Sequence, residues 1–79
     1  MKLLMRDGRV FQGTPLQIVQ AMHAIAFGVD QLALDRSIDW DVDTARRFEE
    51  VDLKVPEGSV EERAAVLVEE MVAKGLASR

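Results

Sequence analysis

The stretch that decides the fold is Lys2-Leu3-Leu4-Met5-Arg6-Asp7-Gly8-Arg9-Val10-Phe11-Gln12-Gly13-Thr14-Pro15-Leu16-Gln17-Ile18-Val19. Two short apolar runs flank Asp7-Gly8, a strong turn signal, so residues 2–12 predict a β-hairpin. The second run ends at Gly13-Thr14-Pro15, which offers a threonine N-cap and a proline at the first helical position. A helix is therefore predicted over residues 15–27, stopped by Gly28. A two-residue type I′ turn sets an expected register. Arg6 then faces Arg9, Met5 faces Val10, Leu4 faces Phe11 and Leu3 faces Gln12. One sheet face would carry Leu4 and Phe11, flanked by Lys2, Arg6 and Arg9. The other would carry Leu3, Met5 and Val10. Both faces are partly apolar, whereas a sheet covered on one side alternates more cleanly. The helix repeats the pattern. Leu16, Ile18, Val19, Ala21, Met22 and Ala24 through Phe27 fill almost its whole circumference, and only Gln17, Gln20 and His23 form a polar strip. Such a helix is buried on more than one side. The two features predict a contact with a second chain, through Leu3, Met5, Val10, Met22 and Phe27.

Working outward, residues 29–37 fit either an irregular helical turn or a loop. Residues 38–50 predict a second helix capped by Ser37, with Ile38, Val42, Ala45 and Phe48 on one stripe. Residues 51–55 alternate as Val51-Asp52-Leu53-Lys54-Val55, the pattern of a half-buried strand ended by Pro56 and Gly58. Ser59-Val60-Glu61-Glu62 is a capping box. The helix it opens runs to about Lys74, with Ala64, Leu67, Val68, Met71 and Val72 as its core face. Glu70 and Lys74 are spaced to pair along it. Gly75-Leu76 predicts a Schellman ending. The order is ββααβα, and the class is α+β. Residues 1–79 form one small domain, a three-stranded sheet with helices mainly on one face, in strand order 2-1-3 or 1-2-3.

A chain of 79 residues buries only about 60% of its unfolded surface. With no cysteine and one histidine, it has neither disulfides nor a thiolate or histidine-rich metal site to stabilise it. A good core or self-association remains. The 48% hydrophobic content is too high for a disordered chain. Acids outnumber bases by 14 to 10, a balance unsuited to general nucleic-acid binding. The acid excess is concentrated in residues 37–62, which hold nine acids against three bases. No apolar run approaches the roughly 20 residues of a membrane span. The first residues meet a charge too early for a signal peptide. A cytoplasmic location is expected.

The chemistry-bearing motifs all have simple readings. Asp39, Asp41, Asp43 and Glu50 fall at positions 1, 3, 5 and 12 of an EF-hand-like spacing, but the required glycine is Thr44, and Arg46 and Arg47 at positions 8 and 9 would put cations beside the metal. An acidic first helical turn salted to two arginines explains the same residues. His23 lacks a sequence neighbour able to complete a general-base site. Thr14, Ser37 and Ser59 are accounted for as caps. Neither a catalytic group nor a cofactor is expected. Lys2, Arg6 and Arg9 make the hairpin basic, which suits a DNA-associated regulator as an alternative. The acidic set Asp39, Asp41, Asp43, Glu49 and Glu50 suits a modulator of a basic partner as another.

The segment from Arg6 to Val19, with Arg46-Arg47-Phe48-Glu49 and the last helix, resembles short uncharacterised bacterial proteins in which a hairpin leads through Gly-Thr-Pro into an apolar helix. The resemblance implies no activity. The leading expectation is a non-catalytic protein-interaction domain, a homodimeric adaptor or accessory protein with a further, unidentified protein partner.

Overall fold

A computed structural model describes residues 1–25 and 33–79. The hairpin forms from β1 (Lys2–Met5) and β2 (Val10–Gln12). Its turn has one more residue than expected. The Gly8 amide donates to the Met5 carbonyl at 3.0 Å, and the Met5 amide donates to the Arg9 carbonyl at 2.8 Å. Gly8 has φ +96°, while Asp7 keeps a negative φ. A type I′ turn needs positive φ at both positions, so the loop is the three-residue form, in which a type I turn ends on a left-handed glycine. The Asp7 side chain stabilises this loop by accepting from the Arg9 amide at 3.0 Å.

The extra loop residue slips the register by one. Leu3 pairs with Phe11 and Leu4 with Val10. A slip of one exchanges the faces of one strand relative to the other. Leu3 and Phe11 now share the inner face, with Met5 beside them, and Leu4 and Val10 share the outer face. Alternation becomes clean: Leu3 is fully buried, while Leu4 and Val10 remain exposed.

Three helices follow: α1 (Pro15–Ile25), α2 (Leu34–Phe48) and α3 (Val60–Ala73). At the start of α1, Thr14 Oγ1 accepts from the Gln17 amide, and Gln17 Oε1 accepts from the Thr14 amide. Thr14-Pro15-Leu16-Gln17 is thus a full capping box. A Cβ on Gly13 would lie 2.5 Å from Gln17 Oε1, so this reciprocal bond needs glycine there. At α3, Ser59 and Glu62 form the expected box. At its other end the Leu76 amide reaches the Met71 carbonyl and the Gly75 amide the Val72 carbonyl, the Schellman pattern.

Helix α2 begins four residues before its expected start. Ala33 occupies the N-cap without a side-chain hydrogen bond, and Ser37 lies inside the helix, buried. Ser37 is therefore not a cap. The helix stripe also stops short: Phe48 is 78% exposed, and Leu53 beyond the helix is buried in its place.

The third strand is β3 (Ala77–Ser78), not residues 51–55. The sheet order is β2-β1-β3, antiparallel throughout, which fits the 2-1-3 alternative in its central strand. The element order is accordingly ββαααβ. Residues 51–55 keep their alternation, with Leu53 buried and Asp52 and Lys54 exposed, but they pair with no strand. The chain leaving α3 returns directly to β1 and takes the free edge. The Lys54 amide instead donates to Glu70 Oε1 at 2.8 Å, so Glu70 serves this crossing rather than the expected pair with Lys74.

The class, the three helices and the three-stranded sheet agree with the sequence reading. The helices cover the sheet's inner face. The core joins Leu3, Ile18, Val19, Ile38, Leu53, Ala64, Leu67, Val68 and Met71, with α3 at its centre. Among the described residues no helix is long and apolar enough to cross a membrane.

Candidate functional site

A cavity of about 480 Å³ opens between the hairpin turn and α2. Its floor is apolar, built from Met5, Met22, Ala45, Leu53, Met71 and Leu76. Its rim carries Arg6, Asp7 and Arg9 from the turn, with Trp40, Asp41, Thr44 and Glu49 from α2. The three-residue loop and the early start of α2 both matter here. The first sets the turn's arginines over the opening, and the second places Trp40, Asp41 and Thr44 well inside a continuous helix.

Most rim charges are paired. Arg6 Nη1 donates to Glu49 Oε2 at 2.9 Å, and its Nε and Nη2 donate to the Gly75 carbonyl. Arg9 Nε donates to Asp7 Oδ2 at 2.7 Å. That bond holds the Asp7 carboxyl below its ordinary range, and the Asp7 carboxylate raises the Arg9 guanidinium. Asp41 differs. Among the described residues it has no hydrogen-bond or ion-pair partner, and desolvation by burial pushes its carboxyl up to about 7.

The acidic set does not form a patch. Asp39 and Asp43, one turn apart, lie on one side of α2, and Asp41 lies on the other. Asp39 accepts from Arg63 Nη2 at 2.5 Å, Asp41 lines the cavity and Asp43 pairs with Arg47 at 3.2 Å. Glu49 holds Arg6, and Glu50 adopts φ +56° at the end of α2. No group of three histidine or carboxylate side chains among the described residues is arranged to hold a metal ion.

Of the residues expected at a contact, Leu3 lies wholly in the chain's own core and Met5 and Met22 are half-buried at the cavity floor. Register explains this, because the slip turns Leu3 and Met5 inward. Val10 is exposed, opposite Leu4 rather than the expected Met5. Phe27 lies outside the described residues. In the basic hairpin, Arg6 and Arg9 are tied to carboxylates and Lys2 is exposed at the start of β1. His23 is half-buried, and its Nδ1 is buried without a hydrogen-bond partner among the described residues.

Arg63 was not singled out by the sequence reading. It bonds both Asp35 and Asp39 on α2 at 2.5 Å, with a side chain only 11% exposed. The Asp39 and Asp35 carboxylates raise its guanidinium further. The signal is that Arg63 stands one turn before Leu67 and two before Met71 on the core face, where a cation needs carboxylates from a neighbour.

No family model, curated protein or solved structure matches the chain.

Proposed function

We propose that this chain is a non-catalytic interaction module that pairs first with its own copy. The observation that carries the reading is the Leu4–Val10 cross-strand pair. These side chains stand together on the outer face of the sheet, 45% and 50% exposed, beside the free edge of β2. Ala21, Ala24 and Ile25 add a second exposed apolar row on α1, at the spacing of one helix face. In so small a domain, apolar area left on two surfaces favours association.

Two of the three cationic groups that would serve a DNA-associated regulator are engaged. Arg6 and Arg9 each bond a carboxylate, which favours a protein contact over a phosphate contact. Light scattering coupled to size exclusion tests the proposal. The wild-type chain is expected to elute as a dimer at micromolar concentration. The double substitution Leu4→Lys and Val10→Lys is expected to elute as a folded monomer. A wild-type monomer across that range, or an unchanged dimer in the variant, rejects the pairing through this face.

A further inference from the structure

The cavity between the hairpin turn and α2 is left unused by the proposed pairing surface, and its chemistry is specific. We propose that it binds a small organic amine, an apolar body carrying one ammonium group, with the ammonium on the Asp41 carboxylate and the body on the methionine-rich floor.

Three observations converge on that class. The volume, about 480 Å³, falls in the range of small-molecule sites and exceeds what one ion or one methyl group would fill. The floor joins Met5, Met22 and Met71 to Leu53 and Leu76, flexible side chains that adapt to an apolar shape. The polar rim has one uncompensated charge. Arg6 is matched by Glu49 and Arg9 by Asp7, which leaves Asp41 as the surplus when it is ionised. An anion arriving at this rim would have to displace Glu49 or Asp7 from an arginine. A cation displaces no bond among the described residues, and it gives the partly desolvated Asp41 a charged partner that none of them supplies. Trp40, also on the rim, presents an aromatic ring to which an ammonium group is attracted. Burial favours the neutral form of Asp41, which is why its carboxyl titrates near 7 and why an arriving ammonium gains from restoring the charge.

The site is independent of dimerisation and is tested without it. Trp40 is the chain's single tryptophan, so its fluorescence reports the cavity directly. The probes are 4-phenylbutylamine, 4-phenylbutanol and 4-phenylbutyrate, which share a body and differ in the head group. At about pH 8, where Asp41 is mostly ionised, the amine is expected to bind at least ~10-fold more tightly than the alcohol and more tightly still than the acid. Asp41→Asn, close to isosteric, is expected to erase the amine's advantage and leave alcohol binding within about twofold of wild type. Methyl NMR shifts at Met22 and Met71 are expected to place the body on the floor. Equal or tighter binding of the acid overturns the proposal, as does an amine preference retained by Asp41→Asn. Absence of binding by all three probes at millimolar concentration also overturns it. Nα-acetyl-lysine methylamide binding as tightly as phenylbutylamine would reject a free amine and assign the site to a lysine side chain.

Discussion

Helices α2 and α3 have almost the same length, 15 and 14 residues, but they are specified in opposite ways. Helix α3 has side-chain and backbone caps at both ends, each made by residues within a few positions: Ser59 with Glu62, and Gly75-Leu76 with Val72 and Met71. Helix α2 has Ala33 at its N-cap, with no capping side chain, and beyond its C-cap Glu49 comes Glu50, a non-glycine residue in the left-handed region. What holds the start of α2 is Arg63 of α3, reaching Asp35 and Asp39. The start of one helix is fixed by local chemistry and the start of the other by its neighbour. The second kind also carries the rim of the cavity.

The sharpest way to break this contrast is Arg63→Ala. It removes charge-assisted bonds to two carboxylates and the packing of the stem, and is expected to cost roughly 3 kcal/mol. Urea denaturation measures the loss, and hydrogen exchange should show the first turn of α2 opening while the end of α3 stays protected. A cost under about 1 kcal/mol would mean that α2 is set by something other than this bridge.

Asp41→Asn tests what α2 gives up to present a carboxylate to the cavity. The folded-state carboxyl is raised from 3.8 to about 7, so between those values the unfolded chain binds fewer protons than the folded one. Stability contributed by the protonated group is full below about pH 4 and is lost as pH rises through about 7. Allowing for partial solvent exposure, the asparagine variant should be more stable by about 2 kcal/mol near pH 8, with the difference vanishing near pH 4. Thermal melts across that window give the answer, and a pH-independent difference would refute a buried ionisable Asp41.

Ser59→Ala addresses the locally specified helix and is expected to cost about 1 kcal/mol, the worth of an N-cap. Circular dichroism melts suffice to measure it, and a neutral result would show that packing rather than the cap sets the start of α3. The smallest effect is expected at the far end of α2. Glu50→Gly relieves a left-handed side chain and should stabilise the chain by roughly 0.5–1 kcal/mol, provided the turn keeps its conformation. Destabilisation instead would show that the Glu50 side chain has a role of its own.

The contrast also explains which parts of the molecule were legible. Caps and turns bring together residues two to five apart, so Thr14, Ser59 and Gly75 announce helix ends, whereas Ser37, with no Glu or Gln three residues on, lies inside α2. Alternation in residues 51–55 correctly gave Leu53 as buried, because half-burial is a property of the pattern. It could not give a strand, because pairing depends on which segment reaches the edge of β1. The hairpin was recognised, but its loop length was not. Asp-Gly serves two-residue and three-residue loops alike, and the choice rests on which register turns Leu3 and Phe11 inward together. The candidate site was nearly invisible. Arg6, Met22, Trp40, Asp41 and Met71 lie on four separate segments, and no spacing relates them.

By itself, then, the sequence determined the class, the helix boundaries that are locally capped, and the core face of α3. Those depend on periodicity and on hydrogen bonds of short chain separation. Tertiary structure decided the hairpin register, the identity of the third strand, the start of α2 and the place of Asp41 on the cavity rim, unpaired among the described residues. Each of those turns on which distant groups win a competition for one partner, and only the folded chain brings the competitors together.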